Sequence, residues 1–228
     1  VTSPHMPAKC TPPVLAEGGQ GNSSLALHWE PPATNGAEIV HYTLQWAGDA
    51  RFQGYKVIDQ IPAPSYTLDG LQPNRRYFFK VAATNCVGQG RFSDFDAHAK
   101  VGCFYTLARA PGPPFGLQVQ AVERVPGTVF LSWERPKDDG GSNITGYRVS
   151  FSRTGAFDDA CHLQQKAIRE CKLVDLRPDT LYYFRVAAIS ETGSGPATDP
   201  VAGQTNPVPP TIYIPPRRPD PPTRKLVK

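Results

Sequence analysis

The chain has 228 residues, with 25 Pro and 20 Gly against 19% charged residues, and a formal net charge of +4. This turn-rich composition favours short antiparallel strands over helices, and no apolar run approaches the roughly 18 residues of a membrane-spanning helix. The positive excess lies after residue 206, so residues 1–206 are neutral and we expect no nucleic-acid partner.

The first predicted elements are a proline-containing lead-in over residues 1–7 and a strand that begins near Val14. A second strand carries Trp29, and a third carries Tyr42 in an alternation of apolar and polar residues. The segment Asn22-Ser23-Ser24, in the turn before the Trp29 strand, is a possible glycosylation site.

The chain then reaches a heptapeptide, residues 71–77, that reads Leu-x-Pro-x-x-x-Tyr and recurs at residues 176–182. We interpret each copy as a corner between two strands. The Leu ends one strand, the Pro turns the chain, and the Tyr opens the next strand with a buried ring and a hydroxyl that hydrogen-bonds back to the corner.

The strand after each corner has a period of two. This pattern predicts that the corner Tyr and every second residue after it face the core. The residues between them face outward and place an aromatic ring beside a long cation in each copy. We take these outward residues as candidate contacts for a protein partner: Phe78 and Lys80, then Tyr183 and Arg185.

Other landmarks recur at nearly the same offset of about 105 residues, including a loop that ends in Gly-x-Gly. Together they resemble the fibronectin type III domain. The residues that carry the resemblance are Trp29, Tyr42, Leu71, Pro73 and Tyr77, then Trp133, Tyr147, Leu176, Pro178 and Tyr182. An immunoglobulin domain would have Cys two residues after the corner Tyr, whereas this chain has Phe79 and Phe184 there.

The resemblance implies an all-β chain with two immunoglobulin-like β-sandwiches in series. We place the first domain at 8–106, a linker at 107–110 and the second domain at 111–206. Residues 207–228 form a proline-rich basic tail in which Tyr213, Arg217 and Pro219 match Tyr105, Arg109 and Pro111. The tail is therefore predicted to be a linker and the first strand of a further module.

No pattern typical of an enzyme occurs. The five His have no metal-ligand spacing, and no nucleophile elbow, phosphate-binding loop or His-Glu-x-x-His motif is present. The loop 137–143 groups two Asp but lacks the ligand spacing of an EF-hand. We expect no catalytic residue, no cofactor and no metal. A second glycosylation sequence begins at Asn143.

On the resembled fold, two disulfides are sterically conceivable, Cys10–Cys86 and Cys161–Cys171, with Cys103 left over. The alternative is that all five cysteines are reduced, because these domains fold without disulfides.

The function that the resemblance implies is that of a structural spacer and protein-interaction module. A ligand-binding pair of the cytokine-receptor type is one alternative, although the Trp-Ser-x-Trp-Ser signature is missing. An intracellular scaffold is another, in which residues 219–224 bind an SH3 domain as Pro-x-x-Pro-x-Arg. An extracellular or cell-surface location is favoured over the intracellular one.

Overall fold

The computed structural model of the protein describes residues 3–96, 98–99, 101–158 and 160–210. The predicted third-module strand and the Pro-x-x-Pro-x-Arg segment at 219–224 lie outside the described residues. Within those residues the chain forms sixteen β-strands and no helix, in two successive sandwiches. The predicted all-β, two-domain fold is confirmed.

Domain 1 is built from two facing antiparallel sheets. One sheet has the order β1-β2-β5, and the other has the order β4-β3-β6-β7 with β8 also paired to β6. The strands are β1 Val14–Gln20, β2 Leu25–His28, β3 Ile39–Ala47, β4 Lys56–Ile61, β5 Ser65–Leu68, β6 Arg76–Asn85, β7 Gly88–Gln89 and β8 Cys103–Tyr105.

Domain 2 repeats this arrangement. Its sheets have the orders β9-β10-β13 and β12-β11-β14-β15, with β16 also paired to β14. The strands are β9 Phe115–Ala121, β10 Val129–Glu134, β11 Ile144–Ser152, β12 Cys161–Lys166, β13 Glu170–Leu173, β14 Leu181–Ser190, β15 Gly193–Ala197 and β16 Val201–Gln204.

A Trp–Tyr pair lies in the core of each domain. The Trp29 and Tyr42 rings meet edge to face with centroids 5.5 Å apart, and Trp133 and Tyr147 do the same at 5.4 Å. The predicted inward residues of β6 and β14 are buried in the same two cores: Tyr77, Phe79, Val81 and Ala83, then Tyr182, Phe184, Val186 and Ala188. The period of two therefore assigned the inner face of both strands correctly.

Both corners have the predicted hydrogen bond. The Gln72 amide donates to the Tyr77 hydroxyl oxygen at 2.9 Å, and the Arg177 amide donates to the Tyr182 hydroxyl oxygen at 3.1 Å. The residue after each corner proline is left-handed, with φ of 50° at Asn74 and 48° at Asp179. Asn and Asp tolerate this conformation better than most residues, and it lets the chain turn sharply between the sheets.

We expect Tyr77→Phe to lower the free energy of unfolding of domain 1 by about 1–3 kcal/mol, because the Gln72 amide loses its acceptor while the ring keeps its packing. Equilibrium denaturation of the single variant measures this loss. Tyr55→Phe is the matched control, since Tyr55 is 49% exposed. Equal stability of the two variants would show that the corner hydrogen bond contributes nothing.

The two domains differ after their glycine loops. Ser93 and Thr198 occupy the same place, since their amides donate to the carbonyls of Val81 and Val186 at 2.8 and 2.9 Å. Domain 2 then reaches β16 within three residues, whereas domain 1 inserts a longer segment before β8. A bridge between Asp96 and Val101 closes this segment into a small loop.

Candidate functional site

The outer face of β6 is not open to solvent where the sequence predicted an exposed ring. Phe78 points away from the core, as predicted, but it is only 1% exposed. The inserted segment covers it, because Phe95 packs edge to face on the Phe78 ring with centroids 5.5 Å apart. The prediction that the Phe78 ring is exposed to a partner is therefore wrong.

The Lys80 ammonium lies over aromatic rings that come from outside β6. Its ammonium lies 4.4 Å from the centroid of Phe52 and 5.1 Å from that of Phe95. Phe52 belongs to the turn between β3 and β4 and has a φ of 58°. The turn therefore folds back over the sheet and covers the cation with an aromatic face, which stabilises the charge without a carboxylate.

Domain 2 has the same arrangement on β14. The Arg185 guanidinium lies 4.1 Å from the centroid of Phe157, which belongs to the turn between β11 and β12 and has a φ of 61°. Phe157 is 7% exposed, and Tyr183 is half-buried. In each domain a ring from a turn therefore covers the cation, which is not the strand ring that the sequence predicted. The role of these residues as partner contacts stays a prediction.

The second candidate surface lies between the domains and was not predicted. The domain 1 corner rests on the loop before β11: the Asn74 side-chain amide donates to the Gly141 carbonyl at 2.6 Å. A Cβ added at Gly141 would lie 2.6 Å from the Pro73 carbonyl oxygen and 2.6 Å from the Asn74 Cβ. Gly141 also has a φ of 76°, so both its conformation and the close approach require glycine.

The linker is bound to the same loop. The Arg109 side chain forms an ion pair with Asp138, and its backbone amide donates to the Gly140 carbonyl at 2.9 Å. The Gly112 amide donates to the Asp138 carbonyl at 2.8 Å. We call these linker contacts, together with the contacts of Pro73 and Asn74 on Gly141, the joint.

A polar cleft opens beside the joint, with a volume of about 860 Å³. Domain 1 contributes residues 71–75, and domain 2 contributes residues 137–139 and 141–143 together with Glu191. The lining mixes both signs of charge, and Arg109 and Asp138 neutralise each other there. Among the described residues, no group of three or more His, Cys, Asp or Glu is placed to hold a metal ion.

The family model for the fibronectin type III domain matches residues 13–95, which cover β1 to β7, and residues 112–204, which cover β9 to β16. The chain belongs to the fibronectin type III family. Both matches fall inside the predicted domains 8–106 and 111–206, whose exact bounds stay predictions.

Relatives that are named as fibronectin type III domain-containing proteins align with nearly the whole chain. "Fibronectin type III domain containing protein 3C1" of Mus musculus is 34% identical over 92% of this chain, and "Fibronectin type-III domain-containing protein 3a" of Gallus gallus is 31% identical over 92%. The chain spans only 14% and 17% of the length of these two relatives.

Among solved structures, a crystal structure of chicken CNTN1 FN1–FN3 domains is 21% identical to this chain. The alignment covers 90% of this chain and 70% of the CNTN1 chain, with a TM-score of 0.39.

The structure contains no disulfide between the five cysteines of these fibronectin type III domains, all of which lie within the described residues. Cys10 lies in the core of domain 1, where burial raises the pKa of its thiol to about 11. Cys161 and Cys171 lie in different sheets of domain 2, on β12 and β13. Neither conceivable disulfide is present in the structure.

Both glycosylation sequences lie at the surface. Asn22 and Asn143 are exposed, in the turns before β2 and β11, and Asn143 lines the cleft. Along the part of the chain that the structure describes, no helix is long and apolar enough to cross a membrane.

Proposed function

We propose that this chain is a non-enzymatic spacer and protein-interaction segment of a longer protein, in which the joint keeps two fibronectin type III domains in one mutual orientation. The observation that carries the proposal is the contact of the domain 1 corner with Gly141, which leaves no room for a side chain. The small share of its relatives that the chain spans supports a role as one part of a larger array.

The strength of the joint follows from its parts. A hydrogen bond such as Asn74 to Gly141 contributes about 0.5–1.5 kcal/mol net. The Arg109–Asp138 ion pair is partly exposed on both sides and adds about 1 kcal/mol or less. Domains joined by small polar interfaces usually move relative to each other. The joint therefore favours one arrangement by a modest margin, and removal of one contact produces a measurable change.

We expect Asn74→Asp to increase the ratio of undocked to docked domains by at least about two- to tenfold, the factor for the loss of one hydrogen bond, because the Asp carboxylate is also repelled by the Gly141 carbonyl oxygen. Asp has the size of Asn and is already found in the left-handed conformation at Asp179. It cannot donate to the Gly141 carbonyl. Residual dipolar couplings of the backbone amides measure the effect, because docked domains share one alignment tensor and undocked domains do not.

Asp179→Asn is the matched control, since it makes the reverse exchange at the domain 2 corner, away from the joint. The Gln204 side chain, which donates to Asp179 at 2.9 Å, can donate to the amide oxygen as well. We expect the control to keep a shared tensor. Independent tensors for the two domains of the unchanged protein would refute the spacer proposal.

For the interaction role we retain the outer faces of β6 and β14 as the proposed contact surface, through Lys80, Tyr183 and Arg185. All three side chains are half-buried, so each keeps some surface for a partner. Glycans at Asn22 and Asn143 are also a proposal, with Asn143 placed to project into the cleft.

A further inference from the structure

The loop that receives the corner in domain 2 has a counterpart in domain 1. Gly140 and Gly141 have φ values of 69° and 76°, and Asn35 and Gly36, 105 residues earlier, have values of 54° and 90°. Two successive left-handed residues are uncommon and define a specific course of the backbone. The two loops therefore share a pair of successive left-handed residues at matching positions.

The chain that precedes each loop is bound in the same way. In domain 2, the linker donates through Arg109 and Gly112, as described for the joint. In domain 1, the His5 amide donates to the Asn35 carbonyl at 3.0 Å and the Ala8 amide donates to the Ala33 carbonyl at 2.9 Å. Residues 5–8 thus lie on domain 1 as residues 109–112 lie on domain 2.

The difference between the two loops is what covers them. Gly141 is half-buried beneath Pro73 and Asn74. Gly36 is exposed, and a Cβ added there would meet nothing closer than the Pro4 Cα at 3.4 Å. We call the surface formed by residues 5–8 and 33–36 the acceptor pole. It has the backbone of a joint, and a corner has room to approach it.

We propose that the acceptor pole is the receiving half of a second joint, and that its occupant is the Leu-x-Pro-x-x-x-Tyr corner of another fibronectin type III domain with Asn at the position of Asn74. This inference rests on the proposed spacer function and specifies the partner of that function. The Asn side-chain amide would donate to the Gly36 carbonyl as Asn74 donates to the Gly141 carbonyl.

The chemistry of the corner decides which domain fits. The domain 2 corner carries Asp179, whose carboxylate accepts from Gln204 and cannot donate to a carbonyl. A carboxylate placed against the Gly36 carbonyl oxygen would be repelled. The second domain of another copy of this chain is therefore a poor occupant, and a corner with an amide is required.

The second joint also depends more strongly on that amide than the first joint does. His5 stands where Arg109 stands, and Ala33 stands where Asp138 stands. The ion pair of the first joint thus has no counterpart at the acceptor pole. Loss of the corner amide is expected to have a larger effect there.

The test places a duplicate of domain 1 in front of residues 4–228. Residues 3–107 are fused directly to Pro4, which puts the added corner in the register that the native corner has with domain 2. Residual dipolar couplings are then measured for all three domains. We expect the added domain and domain 1 to share one alignment tensor, in the relative orientation that domains 1 and 2 have.

Two altered fusions complete the experiment. Asn74→Asp in the added copy alone is expected to undock the added domain while the native joint stays docked. Gly36→Ala in the original domain 1, which carries the acceptor pole, is also expected to undock the added domain, because the added Cβ would occupy the place of the corner. Independent tumbling of the added domain in the unaltered fusion, or a shared tensor that survives both changes, overturns the inference. Because domains 1 and 2 are measured in the same molecule, failure of the spacer proposal is seen separately, as a loss of their common tensor.

Discussion

Trp29→Ala is expected to lower the free energy of unfolding of domain 1 by about 3–5 kcal/mol and to leave domain 2 unchanged. Trp29 is 3% exposed and packs edge to face on Tyr42, so alanine leaves a cavity that the surrounding strands fill only in part. Trp133→Ala is expected to have the same effect in domain 2, where Trp133 packs on Tyr147.

The independence of the domains follows from the chemistry of the joint. The cores are two separate apolar clusters, and the joint contains hydrogen bonds, an ion pair and glycines rather than apolar side chains. Loss of one core therefore removes little from the other.

Amide hydrogen exchange, read domain by domain, measures the two stabilities in one sample. Val40→Ala, at a position that is 63% exposed, is the control. A loss of protection in both domains of either Trp variant contradicts this expectation.

The sequence predicted the cores well because their determinants are local and repeated. The corner Tyr, the alternation after it and the core Trp each follow from a few neighbouring residues, and each occurs twice. The hydrogen bonds to Tyr77 and Tyr182 are thus the consequence of a seven-residue pattern.

The sequence did not predict the joint because the contacting residues are distant in sequence and follow no recognisable pattern. Asn74 and Gly141 are 67 residues apart. The sequence excluded an EF-hand at the loop 137–143, but it did not indicate what lies against Gly140 and Gly141. The exchange of Asn74 for Asp179 gave no clear signal, because the two corners share only their Leu, Pro and Tyr and differ at the other four positions.

The outer faces were predicted in part. Alternation assigns a side chain to a face of its sheet, and it placed Phe78 and Tyr183 on the outer face correctly. Alternation does not report what covers that face. The inserted segment of domain 1 has no counterpart in domain 2, so the repeat itself led to the expectation that both rings are exposed.

Phe78→Ala is therefore expected to lower the free energy of unfolding of domain 1 by about 3–5 kcal/mol, as for a core aromatic. Phe78 is 1% exposed and contacts both the Phe95 ring and the Arg76 guanidinium, whose carbon lies 5.3 Å from the Phe78 centroid. Tyr183→Ala, at the matching position of domain 2, is expected to cost about 1 kcal/mol, because Tyr183 is half-buried.

The same pair of variants reports on the inserted segment. The Asp96 and Val101 amides each donate to the other residue's carbonyl at 2.9 Å, and the packing of Phe95 on Phe78 keeps this bridge against the sheet. Phe78→Ala is expected to speed hydrogen exchange at both amides more than at the core amides of β6. Equal losses of stability in the two variants would contradict the burial of Phe78 as the cause. Continued protection of the Asp96 and Val101 amides without the Phe78 ring would show that the inserted segment does not depend on Phe78.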